Sequence, residues 1–143
     1  MKSCRVCTLV IFLLLLASTA SADGGKWGLG AGALDGDFTA QVRKDFWLGG
    51  DISQITGQAG ATFRNKTTFR IDADYHFIIK SGDSRFYPLA GIDFAFNSDS
   101  AKFGINGGGG LKFRLTEKLN GFGEAKYVFG SWDGWSFVGG VYF

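Results

Sequence analysis

Polar and apolar residues alternate along much of this chain, most clearly over residues 69–80. The odd positions there are Phe, Ile, Ala, Tyr, Phe and Ile, and the even positions are Arg, Asp, Asp, His, Ile and Lys. Successive side chains of a β-strand point to opposite faces, so a period of two predicts a strand with one apolar and one polar face. Most of the alternating segments reach the 9–11 residues that a tilted strand needs to cross a bilayer.

Clusters of Asp, Asn, Gly and Ser divide the chain after residue 25 into eight such segments, because these residues favour tight hairpin turns. The segments are 26–34, 37–46, 49–63, 68–80, 85–97, 101–116, 118–130 and 134–143. An even number of strands can close on itself and leave no unpaired edge in lipid. The sequence therefore predicts an all-β fold, an eight-stranded antiparallel up-and-down transmembrane β-barrel.

The outward residues of these segments are sorted by depth when both termini are placed at the periplasmic side. The aromatic residues that then lie near the outer surface are Phe38, Phe63, Phe69, Phe94, Phe96, Phe103, Tyr127, Phe129 and Trp135. Those near the periplasmic surface are Trp27, Phe46, Phe77, Phe86, Phe113 and Phe143. The middle band is small and apolar: Ala31, Ala40, Val42, Ala59, Ala73, Ala90, Ile92, Gly107, Gly109, Ala125 and Gly139. Two aromatic belts around such a band are typical of outer-membrane barrels.

Residues 1–22 have the pattern of a secretory signal peptide. Lys2 and Arg5 provide a charged beginning, residues 9–17 are apolar, and Ala20-Ser21-Ala22 is a small-residue cleavage site. Because a membrane-spanning helix needs about 20 apolar residues, this run is too short to span. We expect one further domain, the barrel at residues 23–143.

The composition of residues 23–143 narrows the classes of partner and site. Both cysteines, Cys4 and Cys7, precede this segment, so it has neither a disulfide nor a thiolate metal site. Removing Lys2 and Arg5 lowers the basic count from 15 to 13, which equals the 13 acidic residues. A formal net charge of zero gives no indication of a nucleic-acid partner.

Three segments resemble the small outer-membrane barrels, such as the OmpA-type transmembrane domain and OmpX-like barrels. Residues 103–117 resemble the sixth strand and turn of that family, with a glycine-rich strand and a Thr-containing turn, and residues 124–127 resemble its penultimate strand. Residues 135–143 resemble the C-terminal strand that the barrel-assembly machinery reads, although their glycines stand at 139 and 140. The resemblance implies an assembly signal formed by Trp135, Phe137, Val141 and Phe143.

The inward positions carry many charged residues, which we expect to pair because isolated buried charges are costly. The predicted polar network of the lumen consists of Arg43, Arg70, Asp72, Asp74, His76, Asp93, Lys112, Arg114, Glu124 and Lys126. An eight-stranded barrel is just wide enough for side chains to fill it, so a structural salt-bridge core is the favoured interpretation. An ion-conducting gap through the network is the alternative.

His76 is the only histidine, and imidazole catalysis would have to depend on it. Some small barrel enzymes that modify lipid A or phospholipid use a His–Ser pair near the outer leaflet. We expect His76 to point inward in the periplasmic half, among Asp72 and Asp74 and without an adjacent serine. The sequence therefore predicts no catalytic residue, no metal site and no cofactor.

These observations predict a monomeric, non-enzymatic outer-membrane protein of a Gram-negative bacterium with a structural role in the envelope. Its expected partners are outer-membrane lipid and lipopolysaccharide, the barrel-assembly machinery and periplasmic chaperones. Arg64 and Lys66 lie in an outer hairpin where lipopolysaccharide phosphates would be. A contact with a host surface stays open as a role, although the short outer loops disfavour it. A lipid-modifying enzyme and a soluble periplasmic lipid-binding barrel are the alternative classes.

Overall fold

The computed structural model describes residues 26–48 and 50–143, and the signal peptide expected at 1–22 lies outside them. In this part of the chain the structure consists of strands and turns, and it has no helix long and apolar enough to cross a membrane. The strands are β1 (Trp27–Leu34), β2 (Asp37–Trp47), β3 (Ser53–Phe63), β4 (Thr67–Phe77), β5 (Ile79–Ser81), β6 (Ser84–Phe96), β7 (Ala101–Arg114), β8 (Asn120–Gly130) and β9 (Gly134–Tyr142).

The strands form one closed antiparallel sheet. β1 pairs with β2 on one side and with β9 on the other, and this second pairing closes the wall. β4 and β5 occupy a single position in the wall, because both pair with β6 in one continuous register from Phe69↔Phe96 to Ser81↔Ser84. Ile78 separates them, and its N–H donates to the carbonyl of Ile52 at 2.7 Å. The prediction of an eight-stranded antiparallel up-and-down barrel is confirmed.

The two ends of the barrel differ in what they carry. We call the end with residues 26 and 143 and the turns after β2, β5 and β7 the terminal end, and the opposite end, with four turns, the distal end. The first distal turn has only two residues, Asp35 and Gly36, with φ of 51° and 87°. Two successive positive φ angles are typical of the turns that match the twist of a hairpin. All four distal turns are short, at two to four residues between strands.

The third strand begins four residues later than the sequence pattern predicts. The structure starts β3 at Ser53 rather than at residue 49, since the turn from β2 extends further along the chain. Gly50 has a φ of 68°, which no regular strand residue adopts, and the N–H of Leu48 donates to the carbonyl of Ser53 at 3.2 Å. The twelve-residue alternation of 69–80 is likewise divided at Ile78 into β4 and β5.

The exterior of the barrel is apolar and the interior is polar. Phe69, Ile71, Tyr75 and Phe77 of β4 are 45–57% exposed, whereas the polar residues that alternate with the outward positions, Arg70, Asp72, Asp74 and His76, are 0–4% exposed. The exterior therefore has the character of a hydrophobic core, while buried Arg, Lys, Asp and Glu fill the interior. This is the reverse of a soluble protein, in which such large apolar patches are rare.

Glycines make room for the interior side chains, most clearly at Gly91 and Gly110. A Cβ on Gly91 would collide with the Asp74 carboxylate and with the backbone of Ala73, and a Cβ on Gly110 would collide with the ring of Tyr87. Glycine within a strand often marks such a close approach. In the narrow interior of an eight-stranded barrel, these glycines thus leave space for the neighbouring large side chains.

Candidate functional site in the barrel interior

The candidate site is the charged interior, to which β2, β4, β6, β7 and β8 contribute side chains. Period-two alternation turns every second residue of these strands inward, so charges that are distant in sequence meet inside the wall. Arg43 is 1% exposed, Lys126 is 2% exposed, and Asp93 is 0% exposed. Charges at this depth need direct partners, because their loss of hydration is expensive.

Five of these side chains form a group that we call the distal cluster: Arg70, Asp72, Asp74, Asp93 and Lys126. Arg70 Nη2 donates to Asp72 Oδ2 at 2.9 Å and to Asp93 Oδ1 at 2.7 Å. Lys126 Nζ donates to Asp74 Oδ2 at 2.8 Å and to Asp72 Oδ2 at 3.3 Å. The same ammonium lies 3.7 Å from Asp93 Oδ1. Each cation therefore bridges carboxylates from different positions, and two cations face three carboxylates.

Neutral amides complete the coordination of the distal cluster. Asn106 Nδ2 donates to Asp74 Oδ1 at 2.8 Å and also to Asp93. Gln58 donates to Asp74 and accepts from Gln41 Nε2 at 2.7 Å. These N–H groups offset the carboxylate that the two cations leave in excess, since hydrogen bonds to a charged acceptor are stronger than neutral ones.

A second group lies nearer the terminal end, and we call it the terminal cluster: Arg43, Asp45, Lys112 and Glu124. Its first ion pair joins Arg43 Nη2 to Glu124 Oε2 at 2.8 Å. Tyr87 donates its hydroxyl to the same carboxylate oxygen at 3.0 Å. The guanidinium also lies 4.4 Å from the ring centre of Phe122, a distance at which cation–π attraction operates.

The second ion pair of the terminal cluster joins Lys112 Nζ to Asp45 Oδ2 at 2.6 Å. The other oxygen of Asp45 accepts from Thr56 Oγ1 at 2.8 Å and from the Tyr142 hydroxyl at 3.0 Å. Lys112 Nζ lies 4.6 Å from the ring centre of Tyr142. The carboxylate of Asp45 therefore ties together three strands, β2, β3 and β7, and the last residue of β9.

His76 is fully buried beside the terminal cluster, where its neighbours Tyr87 and Thr56 donate to Glu124 and Asp45. Its ring stacks on Tyr87 with centroids 4.4 Å apart, and Nδ1 lies 3.1 Å from Gln54 Nε2. Among the described residues no hydrogen bond or ion pair joins His76 to a carboxylate. The expectation that it lies among Asp72 and Asp74 is wrong, because those residues share its strand but meet partners on other strands. The hydroxyl nearest to the ring, that of Thr56, donates to Asp45 Oδ1 at 2.8 Å, and among the described residues no carboxylate orients the ring as a base.

The structure brings nine of the ten predicted network residues into the two clusters or, for His76, beside the terminal cluster. The tenth, Arg114, is exposed at the end of β7, where it borders the terminal mouth of the barrel. The prediction that places Arg114 in the network is therefore wrong. Arg114 has the same inward parity as Lys112, but β7 ends at Arg114 and its side chain reaches water.

Sequence reasoning missed four residues that complete the site: Asp45, Gln54, Tyr87 and Tyr142. Each occupies an inward position by parity, and Asp45 could have been found two residues after Arg43 on the same face. The tyrosines gave less signal, because aromatic residues in such a chain are expected on the outside. Their inward position shows only in the register of β6 and β9.

The two mouths of the barrel are separate cavities. The distal cavity has a volume of about 270 Å³ and ends on Arg70 and Trp132. The guanidinium carbon of Arg70 lies 5.2 Å from the ring centre of Trp132. The terminal cavity has a volume of about 380 Å³ and ends on Asp45, Lys112 and Tyr142. The two cavities share no lining residue, since both clusters lie between them. In the described part of the chain no group of three His, Cys, Asp or Glu side chains could hold a metal ion.

The turns carry ion pairs of a different kind, which are open to water. Arg64 Nε lies 2.5 Å from Asp37 Oδ2, and Lys66 pairs with Asp99 across two distal turns. At the terminal end, Lys80 donates to Asp51 Oδ2 at 2.5 Å. The hydrogen bond and charge of Lys80 hold the pKa of the Asp51 carboxyl below its usual value. Exposed pairs of this type contribute little stability.

The exterior aromatic residues contact one another around the distal end. Phe38 stacks on Phe63 and Phe69 on Phe96, with centroids 5.9 Å apart in both pairs. Tyr127 meets Trp135 edge-on at 5.2 Å. Of the residues expected in the assembly signal, Trp135, Phe137 and Phe143 are 42–54% exposed, and Val141 has the same outward parity. At the distal end, Trp135 and Phe137 of the C-terminal strand thus join the aromatic belt.

Comparison with known proteins gives matches in structure and none in sequence. No protein-family model matches the chain, and no curated protein matches it. The N-terminal β-barrel domain of OprF from Pseudomonas aeruginosa is 18% identical, with a TM-score of 0.72 over 83% of this chain and 95% of that one.

Two further solved structures have a similar fold. Neisserial surface protein A is 9% identical, with a TM-score of 0.63 over 82% of this chain and 92% of that chain. The outer membrane protein Ail of Yersinia pestis, in a phospholipid bilayer nanodisc, is 14% identical, with a TM-score of 0.55 over 82% and 98% of the two chains. At these identities the likeness concerns the fold. The chain is a closed eight-stranded antiparallel β-barrel with the fold of small bacterial outer-membrane barrels.

Proposed function

We propose that this protein spans the outer membrane of a Gram-negative bacterium as a plugged, non-enzymatic barrel with a structural role in the envelope. The observation that carries the proposal is the inverted distribution of polarity. Aromatic and aliphatic side chains cover the exterior, while nine-tenths or more of each cluster side chain is buried inside. Hydrocarbon is the solvent in which such an exterior is stable.

The same distribution argues against a soluble lipid-binding barrel. A carrier of that class needs an apolar interior with space for an acyl chain, and here ion pairs fill the interior. A water-filled pore is disfavoured for a related reason, because both mouths end on the clusters. The interior therefore supports a structural role, in which buried ion pairs fix the wall from within.

The environment of His76 argues against a lipid-modifying enzyme. The ring is enclosed by Tyr87, Gln54 and Thr56 and is 0% exposed, so an ester in the membrane could not reach it. A general base must lie within hydrogen-bond reach of its substrate, so the enclosed position of His76 argues against catalysis whatever the basicity of its ring.

A contact with lipopolysaccharide is the second candidate role, and the distal aromatic belt favours it. Phe38, Phe94 and Phe129 are 49–56% exposed where acyl chains of an outer leaflet would lie. Arg64 and Lys66 are each paired with a carboxylate, so they provide less free positive charge for phosphates than the sequence suggested. We also propose that the chain remains a monomer and that its C-terminal strand is read by the barrel-assembly machinery after escort by periplasmic chaperones.

Cysteine labelling in intact cells tests both the location and the orientation. Residues 23–143 contain no cysteine, so a single introduced thiol reports its own position. Lys66→Cys lies in a distal turn, and we expect it to react with a membrane-impermeant maleimide in intact cells. Lys118→Cys lies in the turn after β7 at the terminal end, and we expect it to react only after the outer membrane is permeabilised. Equal labelling of both in intact cells, or of neither before permeabilisation, would contradict the proposal.

A further inference from the structure

One charged residue lies on the otherwise uncharged exterior of the wall. Across the outward positions of all strands in residues 26–48 and 50–143, Lys44 of β2 is the only Asp, Glu, Lys or Arg. The inference that follows rests on the proposed membrane location. A lysine facing lipid is costly at mid-depth and nearly neutral near the interface, so its depth and counter-ion decide its effect.

Lys44 lies at the level of the terminal aromatic residues. It is directly opposite Trp27 in the β1–β2 register and opposite Gly57 in the β2–β3 register. Phe46, the next outward residue of β2, stands between it and the terminal end. The long side chain can therefore place its ammonium at the headgroup level while its methylenes stay against the apolar wall.

Two aromatic rings hold the ammonium in place. Lys44 Nζ lies 5.0 Å from the ring centre of Trp27 and 5.5 Å from that of Phe46, distances at which cation–π attraction operates. The neighbouring carboxylate, Asp45, points inward and is engaged by Lys112 at 2.6 Å. No ion pair joins Lys44 to another of the described residues. The rings orient the cation but accept none of its N–H groups as an oxygen would, so its donors have no acceptor among residues 26–48 and 50–143.

We propose that Lys44, Trp27 and Phe46 form a binding site for the phosphodiester of a glycerophospholipid in the leaflet at the terminal end. The phosphodiester supplies the negative charge and the oxygen acceptors that the ammonium lacks. The absence of a side chain at Gly57, opposite Lys44, leaves room for the Phe46 ring, which lies over that glycine. The small outward residues Ala40 and Ala59 leave a smooth wall on which an acyl chain can lie. The site thus combines a charge contact at the rim with apolar contact along the wall.

Native mass spectrometry of lipid retention tests this site on protein extracted in detergent from cells that express the full chain. Phosphatidylglycerol is the probe, and Lys44→Gln is the variant. Because one lysine near a membrane surface contributes about 1 kcal/mol, we expect about fivefold weaker binding of the first lipid to the variant. Lys118→Gln removes the same charge from an exposed turn at the same end, and we expect it to bind as the wild type does.

Three further arms separate the contributions. Lys44→Arg should retain binding, since it keeps the charge, and Trp27→Leu should weaken binding, since it removes one ring. Glycerophosphoglycerol, which keeps the phosphodiester of phosphatidylglycerol without its acyl chains, should bind at least tenfold more weakly than the lipid. Equal binding by wild type and Lys44→Gln, or an equal loss in Lys118→Gln, would overturn the proposal. A gel-mobility test on the same samples reports whether the barrel is folded, so loss of the lipid site is distinguished from failure of the membrane barrel itself.

Discussion

Replacing Lys126 with methionine is expected to destabilise the folded barrel by about 3–5 kcal/mol, the usual cost of removing one partner from a buried ion pair. Lys126 Nζ lies 2.8 Å from Asp74 and 3.3 Å from Asp72 and is 2% exposed. Without it, three buried carboxylates of the distal cluster have Arg70 as their only cation in that cluster. Urea unfolding in lipid vesicles, followed by tryptophan fluorescence, measures the change in the free energy of unfolding.

Lys102→Met is the matched control for this prediction. Lys102 is on β7 at the distal mouth, where it is exposed and has no ion pair with another described residue. Surface substitutions of this kind change stability by about 0.5 kcal/mol or less. If Lys126→Met and Lys102→Met had the same small effect, the distal cluster would not stabilise the barrel as described.

Replacing Arg43 with methionine is expected to cost about 3–5 kcal/mol as well, whereas the double replacement Arg43→Met with Glu124→Leu should recover most of that loss. The single variant leaves the Glu124 carboxylate buried with the Tyr87 hydroxyl as its remaining donor. The double variant removes both charges and leaves apolar side chains of similar size beside Phe122. The recovery arises because well-packed apolar residues often replace a buried ion pair at little cost.

A double-mutant cycle on urea unfolding measures this recovery, since contacting residues are not additive. Arg64→Met is the control, because Arg64 pairs with Asp37 at the surface with 62% of its side chain exposed. Its loss should cost about 0–1 kcal/mol. A double variant as unstable as the sum of the two single variants would show that Arg43 and Glu124 act independently, contrary to their 2.8 Å contact.

Much of the fold could be predicted from the sequence because a strand's period of two is a local property. In β4, the alternation from Phe69 to Phe77 assigns each side chain to the inside or the outside, and the structure has the same assignment. The turns were located for a similar reason, since Asp35-Gly36 and Gly82-Asp83 carry residues suited to positive φ. The start of β3 was missed because Gly50 and its neighbours extend a turn that hydrophobic alternation does not report.

The partners within the interior could not be predicted in the same way. Alternation predicts that Arg43 and Glu124 point inward. They are 81 residues apart in sequence, and their contact depends on how β2 and β8 are staggered in the closed barrel. His76 shows the same limit, because Gln54 is opposite it in the β3–β4 register while Asp72 and Asp74 lie elsewhere along the axis. Arg114 shows that parity does not predict burial at the end of a strand, where a side chain with inward parity reaches water.

Heat-modifiability on a gel tests the central claim, a closed barrel with its apolar surface outside, most directly. The chain is solubilised in detergent, refolded, and run in SDS with and without boiling. A closed barrel held by buried ion pairs and continuous strand pairing resists unheated SDS, so we predict a clear change in mobility on boiling. Identical mobility in both lanes, together with a compact β protein that is soluble in plain buffer, would place the apolar residues inside and contradict the account.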